Sequence, residues 1–278
     1  MAHQFSLAHL SVLTTSPLEM VEIAAKTGYD FVSFRLTAVT ATEHVFALQN
    51  DRAMMNEVKA RLAATGVRVL DIELCRMPAE IEPETYVSVL EAAAELGARH
   101  ILAQLPDANR ERATDRFGRL CDLAAPYKLT VDLEYPSWTE TPNLAAAAAV
   151  VRAVNRPNAG ILIDTLHFDR ARDSVEELRK LPPEWFHFAQ VCDAPAEIPT
   201  TVEGLIHTAR SERNFLGEGG IDVRRILDAM PEMPYSLEIP TDTLALTVSA
   251  EERARRSIRA AEAYLNGLHG EYLHRSAA

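Results

Sequence analysis

Thr130-Val-Asp-Leu-Glu134, an alanine-rich stretch, and Ala159-Gly-Ile-Leu-Ile-Asp-Thr-Leu-His167 follow one another in the middle of the chain. Each flanking run is short and apolar and carries a carboxylate where it ends. Between them Pro142 opens a helix that runs to about Val154, since Ala145–Ala149 is strong helix-forming sequence. A strand, a helix and a second strand joined by short links make a parallel pair with a right-handed crossover.

The same alternation extends in both directions. Strand runs are predicted at Phe5–Leu10, Asp30–Arg35, Val67–Leu74, Arg99–Gln104, Leu129–Glu134, Ala159–Asp164, Trp185–Val191 and Tyr235–Ile239, eight in all. Helix signals lie between them. Ser16-Pro17 opens the first helix and Gly28 closes it; Asp51–Ala64 stops at Thr65-Gly66, and Pro83–Leu96 at Gly97. The 278 residues match a closed (β/α)8 barrel, which typically needs about 250. One α/β domain over residues 1–278, a TIM barrel of eight parallel strands, is therefore expected. An open doubly wound sheet fits less well, because Ser-Val-Leu-Thr-Thr-Ser follows Leu10 with no glycine-rich loop. From Cys192 to the helix near Asp222 no periodicity stands out, so a long loop after the seventh strand, residues 193–220, is predicted as a lid or an interface.

Composition narrows the function. Against 40 Asp+Glu stand 28 Lys+Arg, a formal charge of −12, which argues against nucleic-acid and anionic-membrane partners. No apolar run approaches the roughly 18 residues of a membrane span, and the amino terminus has no signal-peptide layout, so a cytoplasmic location is expected. Cys75, Cys121 and Cys192 are odd in number and widely spaced, which suggests neither disulfides nor a thiolate metal site.

The last four strands each bring a polar residue to the carboxyl-terminal end: Glu134, Asp164, Gln190 and Glu238. Taken singly, each is an ordinary salt-bridge partner or core amide. Side-chain alternation, however, turns all four toward the mouth of the barrel, where active sites of this fold are built. Three converging carboxylates repel one another, and a divalent cation is the simplest remedy. The all-oxygen donor set suits Mn2+ or Mg2+, with Co2+ and Zn2+ also admissible. His167, three residues past Asp164 in the loop leaving the sixth strand, is placed to act as general acid/base beside the metal without ligating it. Asp193 is a candidate to orient a ligand or a substrate hydroxyl. Arg210 and Arg213 are candidate anion binders, and Arg35, Glu73 and Arg76 stand at strand ends on the same face. The basic stretch Arg253, Arg255, Arg256 and Arg259 reads as solvated surface beside Glu251, Glu252 and Glu262.

These residues resemble the sugar phosphate isomerase/epimerase, or xylose isomerase-like, barrel superfamily over nearly the whole chain. The resemblance rests on Glu134, Asp164-Thr-Leu-His167, Gln190-Val-Cys-Asp193, Arg213 with the Gly217-Glu218-Gly219 turn, and Glu238. It implies a divalent metal held by Glu134, Asp164, Gln190 and Glu238, and a substrate contact from His167. Glu134 and Glu238 then take part in catalysis, and Arg213 and Glu218 join the substrate contacts. Ketose epimerases of the superfamily carry a histidine where this chain has Gln190; glutamine there resembles the 3-dehydroshikimate dehydratases. The implied chemistry is removal of a proton α to a carbonyl of a polyhydroxylated keto substrate. Three outcomes stay open: dehydration, sugar isomerisation or epimerisation, and a barrel that binds a polyol or keto acid without turnover. Homo-oligomerisation stays open too.

Overall fold

The computed structural model describes residues 3–40 and 42–267. Its strands are β1 (Phe5–Ala8), β2 (Phe31–Arg35), β3 (Arg68–Arg76), β4 (His100–Gln104), β5 (Thr130–Leu133), β6 (Ala159–Ile161), β7 (Ile163–Asp164), β8 (Ala189–Val191) and β9 (Tyr235–Leu237). They form one parallel sheet in the order β6-β5-β4-β3-β2-β1-β9-β8-β7, a TIM barrel closed but for one seam. Among the described residues there are nine strands where eight were predicted, because the sixth divides at Leu162. Its first half pairs only with β5 and its second only with β8, so the ladder changes partner midway.

The helices are α1 (Pro17–Thr27), α2 (Arg52–Thr65), α3 (Val87–Glu95), α4 (Arg110–Ala124), α5 (Leu144–Val154), α6 (Thr165–Arg170), α7 (Val175–Leu178), α8 (Val202–Ser211), α9 (Val223–Leu227), α10 (Asp242–Ala245) and α11 (Ala250–Leu265). Local sequence accounts for several of them. Ser16 and Glu19 form a reciprocal capping box at α1 with Pro17 in its first turn; Met20, Val21, Ile23 and Ala24 are buried on its inner side, and Gly28 closes it. Asn143 caps α5 by accepting from the Ala146 N–H at 2.9 Å. None of these helices is long and apolar enough to cross a membrane.

Most of the core lies between the sheet and the surrounding helices, while Phe31, Leu70, Leu74, Leu102, Leu162 and Phe188 form a separate buried cluster contributed largely by the strands. That cluster packs the barrel axis, so the strands carry their functional groups on a filled scaffold rather than around a pore. Two corrections concern the surface. The 193–220 segment is not structureless: Thr201 caps α8 inside it. Arg253 is buried rather than solvated, and donates to the Ser11 carbonyl at 2.8 Å, tying α11 to the turn after β1. Arg255 and Arg256 do pair with Glu251 and Glu252 as a surface network.

Gly160 in β6 is the tightest place in the barrel wall. A Cβ there would lie 2.2 Å from Asp132 Oδ1 and 2.7 Å from His187 Nδ1. Gly160→Ala is expected to destabilise the fold by about 1–3 kcal/mol through overpacking. Chemical denaturation would check this, and an unchanged midpoint would show that the two side chains yield freely.

Candidate active site

Strand ends and the helices that follow them place the polar groups. Glu134, just past β5, is buried and anchored through its backbone N–H to the Ala103 carbonyl at 2.9 Å. Its Oε2 accepts from the amide of Gln104 at the end of β4. Asp164 ends β7 and caps α6, its Oδ1 accepting from the Leu166 N–H at 2.7 Å. That cap sets the first turn of α6 and, with it, the side chain of His167. The histidine therefore sits on a helix rather than in the loop expected from sequence. Its Nε2 lies 3.7 Å from Glu134 Oε1 and 3.9 Å from Asp164 Oδ2, and the Trp138 ring meets it edge-on with centroids 5.1 Å apart. Ligand atoms of Glu134, Asp164 and His167 all lie within 4.8 Å of one another, close enough to hold a metal ion. His167 thus joins the potential donors, a place that sequence reasoning had reserved for the four strand-end oxygens.

Gln190 and Glu238 form the other half of the cluster. The Gln190 amide donates to Glu238 Oε1 at 3.1 Å, and its own Oε1 is buried with no hydrogen-bond partner. Arg213 joins the halves: one guanidinium nitrogen lies 2.8 Å from Asp164 Oδ2 and another 2.7 Å from Glu238 Oε2. Arg35 reaches Glu73 at 2.8 Å, Glu43 at 3.2 Å and Glu238 at 3.9 Å.

The electrostatics follow from crowding. Glu73, Glu134, Asp164 and Glu238 are buried, and among the described residues the buried guanidiniums that pair with this cluster are Arg35 and Arg213. Burial and the neighbouring Asp164 push the Glu134 carboxyl up to about 7. Burial and the other carboxylates likewise hold Glu238 well above the usual range despite Arg213. Asp164 is the exception: burial works to raise it, but Arg213, His167 and the Leu166 N–H together outweigh burial and keep it below the ordinary value. Burial brings His167 down to about 4, so its imidazole is neutral around neutral pH.

A cleft at the carboxyl-terminal mouth is lined by Arg35, Arg76, Glu134, Trp138, His167, Arg210, Arg213 and Glu238 among others. Its apolar wall includes Leu10, Val39, Leu74 and Leu102. Arg76 and Arg210 have no ion-pair partner among the described residues, and the Arg210 pKa is lowered by burial and by the nearby Arg35 and Arg76.

Three sequence candidates stand elsewhere. Asp193 is consumed by the backbone: Oδ2 accepts from the Gly217 and Gly219 N–H groups, each at 3.0 Å, and Oδ1 from Ala194 at 2.8 Å and Ile221 at 3.0 Å. It fastens the 217–221 turn, which explains Gly219, whose added Cβ would meet Asp193 Oδ1 at 2.3 Å. Glu73 does not line the cleft but lies buried against Arg35. Glu218 is exposed in the 217–221 turn. Cys192 is buried beside Arg213, and burial pushes its thiol up to about 12. Sequence reasoning missed Gln104, Glu43 and Trp138. Gln104 ends the fourth strand and was open to the same strand-end logic; Glu43 and Trp138 lie in loops and carry no local signal.

The sequence profile of the xylose isomerase-like TIM barrel matches residues 21–264. Among curated proteins, the inosose isomerase of Bacillus subtilis (strain 168) is 24% identical over 164 residues, 54% of this chain and 56% of that protein. The chain spans little more than half the length of the first curated relatives it matches. Among solved structures, the IolI protein with a bound zinc atom gives a TM-score of 0.79 at 18% identity, covering 95% of this chain and 99% of that one. The probable 3-DHS dehydratase AsbF of Bacillus anthracis, described as involved in petrobactin synthesis, gives 0.71 at 18% identity, with 92% and 97% covered.

Proposed function

The chain belongs to the xylose isomerase-like TIM-barrel family, and from that premise we propose that it is a divalent-metal-dependent lyase acting on a cyclic keto acid, of the 3-dehydroshikimate dehydratase type. The observation that carries this reading is the pair of arginines, Arg76 and Arg210, without acidic partners above a cluster of buried carboxyls. A neutral sugar would leave both guanidiniums uncompensated, whereas a substrate carboxylate pairs with them. Gln190 supports the same branch, as does the likeness in fold to AsbF.

The residues fit a cation. Four buried carboxyls share two guanidiniums, and the Gln190 Oε1 is an acceptor awaiting a positive partner. Glu134, Asp164, Gln190 and Glu238 would hold the ion, Mn2+ or Mg2+ by the hardness of the oxygens, with His167 adjacent to them. When bound, such an ion supplies Lewis-acid stabilisation of negative charge developing on a substrate oxygen.

The chain supplies the rest. Arg76 and Arg210 hold the substrate carboxylate at the rim, which orients the ring over His167. The neutral His167 Nε2 takes the proton α to the carbonyl, and the imidazolium then gives a proton to the departing β-hydroxyl. Glu134 and Asp164, on either side of that nitrogen, stabilise the imidazolium between the two steps. Trp138 and the apolar wall keep water from the reacting carbons.

A second reading, isomerisation or epimerisation of a keto-polyol, is favoured by the sequence match to an inosose isomerase and uses the same base. Substitution of the rim separates the two. Arg76→Met and Arg210→Met are each expected to raise KM for a cyclic keto acid about 10- to 100-fold, the loss of one charge-assisted hydrogen bond. Steady-state kinetics on 3-dehydroshikimate and on a panel of neutral ketoses would check this. An unchanged KM, or faster turnover of the ketoses, would favour the second reading.

A further inference from the structure

Toward the amino-terminal ends of the strands, two residues before Glu134 along β5, His100, Asp132 and His187 form another cluster that the proposed reaction does not use. One ring nitrogen from each histidine and one Asp132 oxygen lie within 4.8 Å of one another. His187 Nδ1 is 2.6 Å from Asp132 Oδ1, and His100 Nδ1 is 3.8 Å from Asp132 Oδ2. The imidazole rings stack at 16° with centroids 5.6 Å apart, and Phe188 lies against His100. Ligands of a tetrahedral zinc, each at about 2.1 Å, stand about 3.4 Å apart, so the observed separations straddle the required one.

We infer that His100, Asp132 and His187 form a second metal site, one that takes a borderline transition ion of the Zn2+ class. Two imidazoles and one carboxylate are a nitrogen-rich set, which separates this site from the oxygen-rich mouth and disfavours Mg2+. Thr130 donates to Asp132 Oδ2 at 2.6 Å and orients the carboxylate. His187 is partly exposed, with 19% of its side chain accessible, which leaves the site a route to solvent.

The location suggests what the ion does. At its amino-terminal half β6 has ladder bonds to β5 but none to β8. The link between Asp132 on β5 and His187 ahead of β8 crosses that open seam directly over Gly160. A metal there fastens the two sides of the seam. The role is structural, in keeping with the amino-terminal face of such barrels.

Zinc content after dialysis against Zn2+ tests this on the whole chain. His187→Gln keeps an amide N–H for Asp132 while removing the imidazole, and His100→Gln removes the other ring. Each variant is expected to hold one molar equivalent of zinc fewer than the wild type, whatever the mouth of the barrel binds. Cu2+ bound to the unaltered chain gives a reading independent of variant folding. Its electron paramagnetic resonance spectrum is expected to show superhyperfine splitting from two imidazole nitrogens, which the mouth, with His167 alone, cannot supply. Equal zinc content in the variants and the wild type, or copper spectra with no more than one nitrogen, would overturn the site. None of these readings depends on catalytic activity.

Discussion

Replacing His167 with alanine is expected to lower turnover at least about a hundredfold, the ordinary share of a positioned acid/base. The ring is fixed by the Asp164 cap on α6 and enclosed by Glu134, Asp164 and Trp138, so little motion is needed to meet a substrate proton. Burial lowers its pKa to about 4, which leaves the imidazole unprotonated around neutral pH. The sign is definite: the base form is lost only as pH falls through that value, so the acid limb of kcat/KM should lie well below neutrality. The loss belongs in kcat, with KM for the keto acid little changed, because the rim arginines hold the carboxylate. Since His167 also stands among potential metal donors, cation affinity of the variant should be measured alongside its rate. Lost turnover with retained affinity identifies the base; a near-normal rate removes His167 from the chemistry.

Arg213→Met is expected to destabilise the chelator-treated protein by about 3–5 kcal/mol, because it strips the shared counter-ion from two buried carboxyls. Asp164 is 0% and Glu238 3% exposed, so neither can turn to water for compensation. For a protein of this size that corresponds to a fall in Tm of roughly 10 °C. The guanidinium also donates from Nε to the Ala209 carbonyl at 2.8 Å, tying α8 to the site, and methionine loses that bond as well. Adding Mn2+ should recover much of the deficit, because a cation bound to the folded state replaces the missing positive charge. Thermal melts of the wild type and the variant, with and without Mn2+, would check both parts. A Tm unaffected by the substitution would mean that Asp164 and Glu238 do not need Arg213.

The sequence carried the barrel in its local signals. Ser16-Pro17 and Gly28 bound α1 as their chemistry requires, and the apolar runs of the eight predicted strands fall on the observed sheet. The division of the sixth strand was not legible. Gly160-Ile-Leu-Ile-Asp164 is uniformly strand-like, and the switch of partner at Leu162 depends on where β5 and β8 lie. α8 was hidden because its apolar positions sit among Pro195, Pro199 and Gly204, and its one fully buried residue is Ala209. In the site, period-two alternation was enough to bring Glu134, Asp164, Gln190 and Glu238 to one end of the barrel. It could not show that Arg213 bridges Asp164 and Glu238, which lie 49 and 25 positions away in the chain. Asp193 misled for the same reason: three of its four backbone donors come from the 217–221 turn, folded back by tertiary contacts.

The most direct test is an assay of chelator-stripped protein on 3-dehydroshikimate, with and without added Mn2+, following the ultraviolet absorbance of an aromatic product. Metal-dependent aromatisation that collapses on removing the ion and returns on restoring it is the expected result. Silence in the presence of Mn2+, with turnover of a ketose by the same preparation, would contradict the lyase reading and move the chemistry to isomerisation or epimerisation.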